Sequence, residues 1–124
     1  MSRPISILIV EDEALIAMIL RMSLLEAGYT VCDILSTGES AVEYVQTNRP
    51  DLILFDNRLS GKMTGIEAAV IIRRQYDIPV IFVTGYQFEE FTEEAKGVNP
   101  IACLSKPLQF SILKNIIDEY FDGY

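Results

Sequence analysis

The residues able to do chemistry are few, and most are acidic. Glu11, Asp12 and Glu13 follow the apolar run Ile5-Ser6-Ile7-Leu8-Ile9-Val10, and Asp56 ends a second run, Leu52-Ile53-Leu54-Phe55. Thr84 ends a third run that starts at Pro79, and Lys106 follows a fourth over residues 101–105. If these runs are parallel strands, their C-terminal ends lie on one edge of one sheet, where open α/β sheets bind ligands. Carboxylates gathered at one point repel one another unless positive charge stands between them. A hard divalent cation, Mg²⁺ or Mn²⁺, answers that, because it takes one or two carboxylates, waters and phosphate oxygens. Beside such an ion Asp56 could act as a nucleophile and form an aspartyl-phosphate. Lys106 would pair with one phosphoryl oxygen and the Thr84 hydroxyl would donate to another, which is catalysis by position and charge.

Each residue has an ordinary explanation when taken alone. An acid at position 12 or 13 favours a helix N-terminus, Asp56 suits a turn, Thr84 a strand, and Lys106 a solvated surface. The argument for chemistry is their joint order along the chain.

The elements that must position them follow from periodicity. Four large apolar residues in succession before Asp56 read as a strand buried on both faces, the kind found in parallel sheets covered by helices. Strands are expected at residues 5–10, 29–35, 52–56, 79–84 and 101–105, and helices at 14–27, 36–48, 64–76, 89–96 and 109–121. Gly28 should stop the first helix. Ser36-Thr37-Gly38-Glu39 and Thr64-Gly65-Ile66-Glu67 read as capping boxes, and Gly97 should end the fourth helix. The last helix carries Phe110, Leu113, Ile116, Ile117 and Tyr120 at helical spacing. Strands alternating with helices through short loops make a doubly wound parallel sheet. The order 2-1-3-4-5 would bury strands one, three and four, whose runs are the most apolar.

Composition sets the limits. At 124 residues the chain is one domain and can bury a core without a metal or disulfide staple. A net charge of -8 argues against nonspecific binding to nucleic acid or an anionic membrane. The apolar segment at 14–25 is interrupted by Arg21 and Ser23 and is too short to span a bilayer. Cys32 and Cys103 lie in apolar runs and are expected to be small buried hydrophobes in a reducing cytoplasm. With no histidine in the chain, imidazole acid–base catalysis is excluded.

The ordered set Val10-Glu11-Asp12-Glu13, Leu54-Phe55-Asp56, Phe82-Val83-Thr84-Gly85 and Leu104-Ser105-Lys106-Pro107 resembles the receiver domain of two-component response regulators, across essentially the whole chain. The resemblance implies a flavodoxin-like (βα)5 fold in which Asp56 is the phosphoacceptor. The phosphoryl donor would be a sensor histidine kinase or a phosphotransfer protein. It further implies Asp12 and Asp56 as direct Mg²⁺ ligands, Glu11 acting through water, and the Arg58 backbone carbonyl as a further ligand. Thr84 and Lys106 would follow the phosphoryl group, Gly85 would leave room for it, and the Lys106-Pro107 bond would be cis. Such a domain is cytoplasmic and catalyses only its own phosphorylation and dephosphorylation. It would switch a downstream partner or an output domain by moving the surface of strand four and helix four.

Several positions depart from the usual pattern. Cys103 stands where receivers carry an aromatic switch residue, so the usual aromatic–threonine coupling has no counterpart there. Tyr86 and Phe88 are the nearby aromatics, and Thr84-Gly85-Tyr86 is similar to the "TGY" subgroup. Ser60 replaces a common proline, and the loop at 57–63 is longer by one residue. Arg58 and Tyr86 occupy positions that tune dephosphorylation. Glu89, Glu90, Glu93 and Glu94 make an acidic helix that is a solvated face or meets a basic partner.

Three other functions compete with this reading. Aspartate-type phosphatases need a second acid two residues after the nucleophile, where this chain has Arg58. A flavin-binding flavodoxin needs a phosphate loop free of acids after strand one. A docking module that works without phosphorylation remains the alternative to a switched receiver.

Overall fold

The computed structural model describes residues 3–85 and 88–122. It contains a parallel sheet of five strands, β1 (Ser6–Val10), β2 (Thr30–Leu35), β3 (Leu52–Asp56), β4 (Val80–Thr84) and β5 (Ala102–Ser105), in the order β2-β1-β3-β4-β5. Helices α1 (Ala14–Glu26), α2 (Gly38–Tyr44), α3 (Gly65–Gln75), α4 (Phe88–Ala95) and α5 (Phe110–Tyr120) alternate with the strands. The expected strand order is observed. Every residue of β3 and β4 is buried, as is β1 beyond Ser6, while β2 at the edge is half-exposed.

Alternation along the strands sorts side chains to two faces. Leu8, Val10, Ile53, Phe55, Val80 and Phe82 pack with Ala68 and Ile72 of α3 and Phe91 of α4. Ile7, Ile9, Leu52, Leu54 and Ile81 pack with Leu24 of α1 and with Leu113 and Ile117 of α5. Phe55, Phe82 and Phe91 contact one another in sequence, the first pair tilted and the second edge-on, with ring centroids 5.9 and 5.1 Å apart. Burying a side chain of this size contributes about 1.5–3 kcal/mol, so the ends of β1, β3 and β4 are held by the best-packed part of the molecule. Helix α1 is apolar on its outer side as well. Leu15, Met18, Ile19, Met22 and Leu25 are exposed there, while Ala17 and Leu24 are buried.

Local signals mostly hold. Gly28 takes φ +97°, its N–H bonds to the Leu25 carbonyl, and the Tyr29 N–H bonds to the Leu24 carbonyl, which closes α1 with a Schellman motif. Thr64 and Glu67 form the expected capping box on α3.

Four expectations are corrected. The box at 36–39 does not form: Thr37 is the N-cap and accepts from the Ser40 N–H, so Glu39 stands one position too early to bond back. Helix α2 ends at Tyr44 rather than near 48; the chain continues in turns, in which the Tyr44 carbonyl accepts from the Thr47 N–H and from both the N–H and the side chain of Asn48, and the Val45 carbonyl accepts from the Arg49 guanidinium. Helix α4 passes through a 3-10 turn over Lys96–Val98 and stops at Asn99, in left-handed conformation at φ 56°, not at Gly97. Cys32 is exposed and Cys103 is half-buried, because β2 and β5 are the sheet's edges and are not covered on both sides.

Candidate functional site at the C-terminal edge of the sheet

Strand register gathers the site. Val10 pairs with Phe55, Asp56 with Val83, and Thr84 with Ser105. The residues at or just beyond those pairs are Glu11, Asp56, Thr84 and Lys106, so they meet at one level of one edge. A cavity of about 440 Å³ lies there, lined by Asp12, Glu13, Asp56, Arg58, Thr84, Gly85 and Lys106.

Carboxylate oxygens of Glu11, Asp12 and Asp56 lie within 4.8 Å of one another. Glu11 and Asp56 are buried, with 7% and 6% exposure, while Asp12 is open to solvent. The Lys106 ammonium reaches across, 3.2 Å from Asp56 Oδ2 and 3.5 Å from Glu11 Oε1. Backbone donors assist: the Glu13 N–H gives to Glu11 Oε2 at 3.2 Å and the Arg58 N–H to Asp56 Oδ1 at 3.3 Å. Charge is still unbalanced, with three carboxylates gathered on the Lys106 ammonium and Arg58 the other cation in the cavity wall. Burial pushes the Glu11 carboxyl up to about 7, aided by the Asp56 charge and opposed by the Glu13 N–H and by Lys106. For Lys106, burial pulls the ammonium down, but the charge and hydrogen bond of Asp56, with those of Glu11, outweigh it and raise it. An all-oxygen set this close, short of positive charge and open at Asp12, fits a hard divalent cation.

The surrounding parts are built tightly. A Cβ on Gly65 would stand 2.5 Å from the Asp56 carbonyl oxygen, so only glycine admits α3 this close to the end of β3. A Cβ on Gly85 would meet the Lys106 stem at 3.3 Å, so the space left there belongs to the lysine as much as to any incoming group. Thr84 is buried at the end of β4, and its carbonyl accepts from the Lys106 N–H at 2.9 Å. The Lys106-Pro107 bond is cis. Cys103 packs against the Phe55–Phe82 side of the sheet, beside β4. Tyr86 lies outside the described residues, as does the side chain of Phe88.

Sequence reading missed three contributors. Asn57 Oδ1 accepts from the Ile66 N–H at 3.2 Å and so ties the start of the loop to α3. The Ser60 hydroxyl donates to Asp12 Oδ2 at 3.4 Å, where the sequence marked only a missing proline. Glu39, read as a capping residue, instead accepts from the Lys62 N–H at 3.0 Å. A glycine at the first position of α3 was the one visible sign of a close approach.

The sheet order, the acidic edge and the lysine opposite it define a known class. The model of the response regulator receiver domain matches residues 7–118, and this chain belongs to that family. It is 34% identical over 110 residues to the transcriptional regulatory protein PdtaR of Mycobacterium tuberculosis, covering 89% of this chain and 53% of that one. Among solved structures, the signal receiver domain of a modulated diguanylate cyclase from Desulfovibrio desulfuricans is 37% identical, with a TM-score of 0.86 over 95% of this chain and 93% of that one. The receiver domain of a Pseudomonas aeruginosa sensor histidine kinase, solved with a magnesium ion coordinated in its active-site cleft, is 28% identical, with a TM-score of 0.83 over 94% and 97% of the two chains. The chain spans about half the length of the curated relatives it matches.

Proposed function

We propose that this chain is a phosphorylation-switched receiver whose Asp56 accepts a phosphoryl group from a histidine of a sensor kinase or phosphotransfer protein. One observation carries the reading: three carboxylates converge within 4.8 Å and a single lysine contacts two of them. The residues that would hold Mg²⁺ or Mn²⁺ are Asp12 and Asp56 directly, Glu11 through water, and the Arg58 carbonyl. Bound there, the ion would supply positive charge to offset the carboxylates and the incoming phosphoryl group.

An Asp56 carboxylate oxygen attacks phosphorus, the P–N bond to the donor imidazole breaks, and the bonding pair leaves with the nitrogen. Lys106 exchanges its contact with Asp56 for one with a phosphoryl oxygen, and Thr84 donates to another. The added charge biases Thr84 and the β4–α4 surface toward a second arrangement with a different affinity for a downstream partner or output domain. With Arg58 two residues after Asp56, the position where aspartate-type phosphatases carry their second acid holds a cation. The chain therefore acts on its own phosphoryl group and is not an enzyme of other substrates.

A protein donor must reach Asp56, and the surface beside it suits one. A groove of about 560 Å³, lined among others by Ile16, Ile19, Leu20, Leu108 and Phe110, includes Asp56 and Lys106 in its wall, and Leu15, Met18, Met22 and Leu25 are exposed on the same helix α1. Exposed apolar surface of this kind suits a protein-docking face. The relatives' description as regulators, and the magnesium in the Pseudomonas domain, support the same reading. Its working place would be the cytoplasm, with neither nucleic acid nor membrane bound by this segment.

The test is an intact-mass spectrum after incubation with Mg²⁺ and a small acyl phosphate, for wild type and Asp56→Asn. One added phosphoryl group on wild type, absent from the variant and in EDTA, is expected. If neither an acyl phosphate nor a phosphorylated donor protein modifies Asp56, and a beryllofluoride mimic does not bind either, the chain is a docking module that works without phosphorylation.

A further inference from the structure

The loop bearing Arg58 and Ser60 is tied to the site and also to a helix that takes no part in it. At its base the Gly65 N–H bonds to the Asn57 carbonyl at 3.0 Å. In its middle Ser60 forms an isolated parallel bridge with Thr37, while the Ser60 hydroxyl donates to Asp12. Gly61 then turns the chain at φ +90°, a conformation that favours glycine. That turn presents the Lys62 N–H to Glu39 Oε2 at 3.0 Å. A Cβ on Gly61 would stand 2.9 Å from Glu39 Oε1, so the carboxylate lies against the loop backbone itself. Hydrogen bonds from backbone N–H groups, first its own and then those of Lys62 and Met63, hold the Glu39 carboxyl below its ordinary range.

We propose that Glu39 is a positioning residue for the cation site: from the first turn of α2 it clamps the loop so that Ser60 stays on Asp12 and Arg58 stays in the cavity wall. The proposal rests on the metal-dependent reading above. Asp12 is the exposed member of the acidic set, and the Ser60 hydroxyl reaches it from the loop. A loop held from outside has already lost the freedom that ion binding would otherwise have to remove. Partners that orient metal ligands in this way typically change affinity by about tenfold or more.

The experiment is an NMR titration with Mg²⁺ of wild type, Glu39→Ala, Ser60→Ala, the double variant and Glu43→Ala. Glu43 is exposed on the same helix, so its replacement removes an equal charge without releasing the loop. Glu39→Ala should raise the Kd roughly tenfold, and Glu43→Ala by no more than about twofold, the share of a screened distant charge. Ser60→Ala should weaken binding too, and the double variant should be no weaker than Glu39→Ala, because both changes cut one clamp. Thermal midpoints in EDTA should agree, which separates positioning from a loss of fold. Equal Kd values for Glu39→Ala and Glu43→Ala, or additive effects in the double variant, overturn the role of Glu39. If wild type shows no Mg²⁺ response, the metal-dependent reading itself falls and takes the proposal with it. Should Glu39→Ala fail to fold, Glu39→Asp, which keeps the charge but draws the carboxylate back from the Lys62 N–H, against Glu43→Asp decides on the same terms.

Discussion

The two ends of the sheet handle charge in opposite ways. At the N-terminal end of the strands two acids, Asp51 and Asp118, meet their own donors. Asp51 accepts from the Arg3 guanidinium at 2.6 Å and from the Ser6 N–H at 2.8 Å, while Asp118 accepts from Lys114 and from the Tyr29 hydroxyl. Those donors hold both carboxyls below their ordinary value of 3.8, the Arg3 hydrogen bond leading at Asp51 and the Lys114 hydrogen bond at Asp118. At the C-terminal end Glu11, Asp12 and Asp56 face a single lysine, and burial lifts Glu11 to about 7. At the first end, donors within the fold offset these two carboxylates. At the other, three carboxylates gather on Lys106, which is the charge pattern a cation site requires.

The largest effect should come from pushing the site end apart. Gly65→Ala forces a Cβ against the Asp56 carbonyl, and a clash with backbone has no flexible side chain to absorb it. A loss of about 3 kcal/mol in urea unfolding is expected, together with loss of Mg²⁺ binding. A variant as stable as wild type would show that β3 and α3 separate easily.

A medium effect should appear in pH dependence. Glu11 has its folded value raised to about 7 from 4.5, so between those values the native state holds a proton that the unfolded chain has released. The metal-free protein should therefore lose stability as pH rises from about 4.5 to about 7, by roughly 1–2 kcal/mol once solvent screening is allowed for. Mg²⁺ should flatten that dependence by favouring the ionised carboxylate, and Glu11→Gln should remove it. An unchanged slope in Glu11→Gln would assign the effect to general charge repulsion.

The smallest effect belongs to the neutralised end. Asp51→Asn should cost about 1 kcal/mol at neutral pH, since the Arg3 side chain is largely exposed, and should leave the Mg²⁺ Kd unchanged. The sign with pH is reversed there: the Asp51 contribution is present above 3.8 and is lost as pH falls below it. A shift in Mg²⁺ affinity in this variant would mean that the two ends are coupled through the sheet.

The difference between the ends also shows what can be read in one dimension. Apolar runs ending in Asp56, Thr84 and the Lys106 dipeptide fixed both the strand order and the edge where the polar groups meet, because strand period and parallel direction together decide which ends coincide. The stop at Gly28 and the capping box at Thr64 were legible too, since each involves partners within a few residues. Two of the misreadings turned on distant parts of the chain. Glu39 has the composition of a capping residue, yet its carboxylate bonds to Lys62, more than twenty positions away, because the tertiary fold brings α2 and the 57–64 loop together. Cys32 and Cys103 sit in apolar runs, but edge strands are covered incompletely, and which strands become edges depends on the whole topology.

The sequence by itself determined the class of protein, the sheet, and the residues at its chemical edge, because those follow from periodicity and order. Only the tertiary structure decided how closely Gly65 approaches Asp56, which loop Glu39 holds, and that α1 turns an apolar face outward. Such contacts depend on distances between backbones far apart in the chain, and no local pattern encodes those distances.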